Sequence, residues 1–169
     1  MKTIVKFAAI AAVLGLGACS RPAQQGPLVN DPYANGGAGG VGTTALPGTA
    51  EHFKATAGDT VLFQLDQSTL TPEARTILAN QAGWLNQNRG FSAVIEGHAD
   101  EQGTREYNLA LGARRASSVQ EYLISQGVAA GRLRTVSYGK ERPLAICSTE
   151  ECFTKNRRAV TVVSPGAGM

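Results

Sequence analysis

The chain has 169 residues, of which 16 are Lys or Arg and 13 are Asp or Glu, giving a formal net charge of +3. Lys2 and Lys6 belong to an N-terminal segment that reads as discarded, and the 14 basic residues left face 13 acids. So balanced a mature chain offers no electrostatic case for nucleic acid.

Met1 to Ala18 begins with those two lysines, continues through an apolar run from Phe7 to Leu16 and ends on small residues before Cys19. That is a secretory signal, too short to span a bilayer stably as a mature helix. Leu16-Gly17-Ala18-Cys19 resembles a bacterial lipobox, which implies Cys19 as the lipidated first residue of the mature chain. The alternative is an ordinary signal peptide with a stray cysteine. In lipoproteins of this kind an Asp after the cysteine favours the inner membrane. Ser20 follows here, so the resemblance implies a lipid anchor in the outer membrane, on its periplasmic face.

Residues 19–52 form the lipidated N-terminus and a flexible linker. From Ser20 to about Ala50 the composition is Gly, Ala, Pro, Asn and Thr, centred on Gly36-Gly37-Ala38-Gly39-Gly40. Such a stretch cannot bury enough apolar surface to offset its ordering entropy. A tether of about 35 residues has an r.m.s. span of roughly 30–35 Å and a full reach of around 120 Å.

The folded domain is expected over 53–169. Thr60 to Leu65 reads as a strand ending at Asp66. Thr71-Pro72-Glu73 starts a helix, with Thr71 as N-cap, Pro72 in the first helical position and an acid in the first turn. Ala74, Ile77, Leu78, Gln81, Ala82 and Leu85 follow at helical spacing, and Asn88-Arg89-Gly90 stops the run. Trp84 reads as a packing residue. A strand over Phe91–His98, a helix from about Thr104 to Gln126 closed by Gly127, a strand at Arg132–Tyr138 and a last strand at Ala159–Val163 complete the domain. The order β-α-β-α-β-β predicts an α+β fold, a two-layer sandwich of a mixed sheet with its helices on one face.

Cys147 and Cys152 lie in the exported domain with four residues between them. Export makes a disulfide plausible, with free thiols as the other reading. Two cysteines without a nearby histidine do not make a zinc site.

On a helical wheel, Leu109, Gly112, Ala116, Val119 and Leu123 form a buried stripe, with Asn108, Leu111 and Arg115 at its margin and Arg114 facing water. A guanidinium at such a margin is partly desolvated and fixed in direction, which suits recognition of a carboxylate. Arg115 pairing with an internal acid, Asp100 for example, is the competing reading. Asp66 and Asp100 each end a strand. If those strands are parallel neighbours, both carboxylates share one rim, where open α/β sheets bind ligands. Two acids and a guanidinium there can grip the ammonium and carboxylate of one small zwitterion. Gly97, Gly103 and Gly112 would allow close backbone approach.

Residues 96–104 (Glu-Gly-His-Ala-Asp-Glu-Gln-Gly-Thr), then Tyr107 to Ala116, Val136-Ser137-Tyr138-Gly139 and Lys155-Asn156-Arg157-Arg158-Ala159-Val160 resemble the OmpA-like peptidoglycan-binding domain family. The resemblance covers about Val61 to Val163. With the lipobox and tether, it points to the lipid-anchored members that work with TolB and the other Tol proteins. It implies non-covalent binding of the diaminopimelate of the peptidoglycan stem peptide. On the matching positions, Asp100 would take the ammonium and Arg115 the carboxylate, with Asp66, Asn108, Leu111 and Gly112 completing the pocket. It further implies a role in envelope integrity and in constriction during division, and neither cofactor nor metal. Gln102 stands where such members usually carry Arg, and the Cys147–Cys152 segment also departs from the usual pattern.

Two other classes compete. Glu96, His98 and Asp100 alternate along one strand and could bind a metal or transfer protons. Only His52 and His98 exist, however, and no nucleophile motif appears, so no enzymatic activity is expected. The other alternative is a periplasmic interaction module whose main ligand is TolB or another Tol component.

Overall fold

The computed structural model describes residues 46–166. The signal segment, Cys19 and most of the tether lie outside them. The described elements, in order, are α1 (Ala50–Ala57), β1 (Thr60–Leu62), α2 (Pro72–Gln87), β2 (Phe91–His98), α3 (Arg105–Ser125), a 3-10 turn (Ala130–Arg132), β3 (Leu133–Gly139), α4 (Glu150–Asn156) and β4 (Arg158–Pro165). The strands form one mixed sheet in the order β1-β4-β2-β3. β2 and β3 are parallel, joined through α3, while β4 runs antiparallel to both β1 and β2.

Local chemistry explains most boundaries. Thr71 caps α2 by accepting from the Ala74 amide at 3.2 Å, with Pro72 opening the helix. Thr104 does the same for α3 through the Tyr107 amide, also at 3.2 Å. The inner face of the sheet (Val61, Ala93, Ile95, Leu133, Ala159 and Val163) packs against Leu78 and Leu85 of α2 and Val119 and Leu123 of α3 in one core. Trp84 belongs to that core, stacked edge-on against Phe53 and Phe91, and donates its indole N–H to His52 Nδ1 at 2.9 Å. The fold is α+β, as the element pattern predicts.

Several expectations need correction. The first strand ends at Leu62, not Leu65: the Gln64 and Gln67 carbonyls leave the sheet to accept from Arg115, and Asp66 adopts φ 57°. The first two strands are parallel but not neighbours, because β4 lies between them. A helix, α1, spans the expected domain start at 53, and another, α4, occupies what reads as a loop around the cysteines. On α3, Leu109 is 48 % exposed, whereas Asn108, Leu111 and Arg115 are buried. Gly112, Ala116, Val119 and Leu123 are buried as the wheel has them, and the stripe widens in the first half of α3, where Arg115 finds its acceptors in the turn after β1.

Candidate functional site

The element order brings the ends of β1 and β2 to one rim. Leu62 and Gly97 pair with adjacent residues of β4, Arg158 and Ala159, so the segments that follow, bearing Asp66 and Asp100, converge there. Between them lies a notch of about 290 Å³ lined by Leu65, Asp66, Asp100, Gln102, Asn108 and Leu111, with Gly103 and Tyr107 at its side. That volume suits a group the size of one amino acid.

The polar walls are fixed from within. Asp100 is 5 % exposed; its Oδ1 accepts from the Gln102 amide at 3.2 Å and its Oδ2 from Arg157 Nη1 at 3.2 Å. Arg157 is held in turn by Glu150 and by Thr154 Oγ1, the latter at 2.9 Å. Those bonds, the Glu150 contact first, hold the Arg157 guanidinium above its ordinary range and the Glu150 carboxyl below its own. Asp66 is exposed and accepts from the Tyr107 hydroxyl, which pushes that phenol upward. Asn108 is buried; its Nδ2 donates to the Gln102 carbonyl at 2.7 Å, and its Oδ1 has no partner among the described residues.

Arg115 stands behind the notch rather than on its surface. Its exposure is 0 %, and it donates to the carbonyls of Gln64 (3.1 Å), Gln67 (2.8 Å) and His98 (2.8 Å). Phe63 lies under the guanidinium at 5.2 Å. No carboxylate of the described residues comes within 4.0 Å, so an internal pair with Asp100 is not formed. Burial lowers its pKa to about 10, opposed by the charge of Asp100. Three of its five N–H groups are engaged; the charge itself has no close counter-ion. Arg115 thus ties the Asp66 turn to the end of β2.

Gly112 also sits off the notch. A Cβ at Gly97 would stand 1.9 Å from the Gly112 carbonyl oxygen, so these two glycines let α3 lie directly on β2. Gly103 has φ +94° and carries the turn into α3.

Of the alternating trio, Glu96 Oε2 lies 3.8 Å from His98 Nε2, while Asp100 stands apart from both. His98 packs against Tyr138 at 5.5 Å, with burial and then the charges of Arg158 and Arg142 lowering its pKa to about 4. Asp100 lies beyond the strand and belongs to Arg157. No local pattern around Arg157 signals its hold on Asp100; only the central position of β4 reveals it. Cys147 and Cys152 are bonded, their Cα atoms 5.8 Å apart, just before and within α4. Asn156 fastens the segment by accepting from the amides of Leu144 (2.8 Å) and Ala145 (3.0 Å).

The sequence model of the OmpA family matches residues 62–157, which include the whole notch. A peptidoglycan-associated lipoprotein of Mesorhizobium japonicum is 56 % identical over 124 residues, covering 73 % of each chain. One from Rhizobium meliloti is 45 % identical over 172 residues, covering 99 % of this chain and 93 % of its own. Among solved structures, the peptidoglycan-associated lipoprotein of Burkholderia pseudomallei superposes with a TM-score of 0.62 at 36 % identity, over 63 % of this chain and 90 % of its own. The C-terminal domain of Helicobacter pylori MotB, at 23 % identity and a TM-score of 0.60, shares the fold. The chain belongs to the OmpA family, on the branch of the peptidoglycan-associated lipoproteins.

Proposed function

We propose that the notch binds peptidoglycan non-covalently, by the diaminopimelate of the stem peptide, and that the chain tethers the outer membrane to the cell wall. The observation that carries this reading is the charge arrangement of the notch: two carboxylates and an unpartnered amide oxygen on its walls, with a buried guanidinium behind it. Asp66, Asp100 and Asn108 Oδ1 offer acceptors to an ammonium, which has three donors. A ligand carboxylate is drawn toward Arg115, whose charge has no close counter-ion and whose remaining N–H groups are unengaged. Contact with Arg115 requires the Leu65–Asp66 turn to shift; Leu65 is exposed and Asp66 holds an unusual backbone conformation, so that turn is the part best able to move. Leu111 forms the apolar floor beneath the ligand's methylenes, and Gly112 acts by packing α3 onto β2.

Cys19 carries the lipid, residues 1–18 are the removed signal, 19–52 the tether and 53–169 the binding domain, with α1 beginning at Ala50, a few residues upstream of that boundary. The role is attachment rather than chemistry, within the Tol–Pal system that maintains the envelope and draws it inward at division. The exposed side chains of Leu65 and Tyr107 at the mouth of the notch favour a protein partner docking over the same opening. TolB or another Tol component is that partner, and it competes with peptidoglycan.

Co-sedimentation of the purified chain with isolated sacculi, with and without free diaminopimelate, tests the reading. The chain should pellet with sacculi and be released by the free diamino acid in excess. Sedimentation indifferent to the competitor would overturn it.

A further inference from the structure

At the end of the sheet opposite the notch lies a cleft of about 580 Å³, between the start of β2, the 3-10 turn and the end of β4. Arg89, Arg132 and Arg134 line it over an apolar floor that includes Ala93, Val94 and Ala129. Among the described residues no acid lines the cleft, and none of the three arginines pairs with a carboxylate. Arg132 is held rigidly, donating to the carbonyls of Phe91 (2.7 Å), Leu85 (3.0 Å) and Asn88 (3.0 Å), which leaves its Nη1 group unengaged. Arg89 and Arg134 are exposed beside it. Like charges gathered over an apolar floor repel one another until an anion bridges them. Planar guanidiniums fit the oxygens of a phosphate, and the floor fits the apolar body next to it.

The cleft also lies where the described chain begins and ends. Gly48 sits against Asn88, 3.3 Å from where its Cβ would be, and the Gly166 amide donates to the Gly90 carbonyl at 2.7 Å. The described residues therefore begin at this end of the sheet. The notch lies beyond the other end of β2, an eight-residue strand of about 26 Å.

We propose that this cleft binds the phosphate of an anionic phospholipid headgroup, so that the domain lies against its own membrane by one end while the other end faces the wall. The proposal rests on the membrane anchoring argued above. The test uses the mature chain, residues 19–169, with Cys19→Ser, so that neither acyl nor signal-segment insertion can carry the result, and vesicles of phosphatidylglycerol and phosphatidylcholine at equal parts or of phosphatidylcholine alone. Binding should favour the anionic vesicles by at least about tenfold, and the pair R89Q/R134Q should weaken it roughly fivefold for each arginine removed. The pair R105Q/K155Q, which removes the same charge elsewhere, should bind as the parent does. Equal binding to both vesicles, an R89Q/R134Q variant that binds like the parent, or a control pair that loses as much would each overturn the proposal. So would capture of free glycerol phosphate without capture of vesicles. Sedimentation with sacculi, run on the same samples, keeps the two readings apart. Failure of the parent to pellet counts against the wall reading alone.

Discussion

Arg157, the residue just before β4, holds Asp100, just past β2, through a 3.2 Å ion pair whose two side chains are 5 % and 6 % exposed. The pair exists because β4 lies between β1 and β2, which puts the start of one strand beside the end of its antiparallel neighbour. It fixes the Asp100 carboxylate at the wall of the notch. Removing the arginine strands a buried charge, so Arg157→Leu should lower unfolding free energy by about 3 kcal/mol. Adding Asp100→Asn to that variant should recover part of the loss. Urea unfolding of the two singles and the double measures the coupling, and strictly additive effects would refute it.

The disulfide acts on the same wall from further out. Cys147–Cys152 closes the start of α4, whose Glu150 and Thr154 hold Arg157. A loop this short should contribute about 2 kcal/mol on the chain-entropy account. Cys147→Ser with Cys152→Ser should show that loss in urea, and dithiothreitol should reproduce it on the parent chain while leaving the double variant unchanged.

His98 makes the fold sensitive to acid. Its pKa falls from 6.5 to about 4 in the folded chain, chiefly through burial. The unfolded chain therefore binds the proton more readily, so the stability from the neutral ring is fully present above about pH 6.5. It drains away as pH falls toward 4, by up to about 3 kcal/mol. His98→Gln should flatten that part of a plot of urea midpoint against pH. An equally steep fall in the variant would assign the effect to other groups.

Gly97 and Gly112 are a packing pair, with no room for a methyl group at either backbone. Gly97→Ala must push α3 off β2 and should cost more than about 2 kcal/mol, read as a lower thermal midpoint. Gly83→Ala, where a Cβ meets nothing within 4 Å, should be neutral or stabilising.

Much of this arrangement was legible in the residues. Thr71-Pro72 and Thr104 announce helix starts by cap chemistry that acts within one turn, and both helices begin where they say. Asp66 and Asp100 do share one rim, but not for the reason their pattern offers: β1 stops at Leu62 and β4 separates it from β2, so only the common direction of the two strands carries over. What local pattern cannot carry is strand order: β4 comes last in sequence and enters the middle of the sheet, and with it Arg157. The depth of Arg115 was hidden for a related reason. Its acceptors, the Gln64 and Gln67 carbonyls, lie about fifty positions away, and a wheel drawn on one helix contains no information about them. The α4 helix escaped notice because its seven residues are stabilised by the disulfide and Arg157 rather than by an apolar stripe.

The claim that a ligand ammonium docks between the two acids is tested most directly at Asp66, since that side chain is exposed and Asn can still accept from Tyr107. The dissociation constant for sacculi should rise at least about tenfold in Asp66→Asn, because a charge-assisted bond becomes a neutral one, while Arg114→Ala should leave it unchanged. Asp66→Asn binding sacculi as tightly as the parent chain would contradict the account.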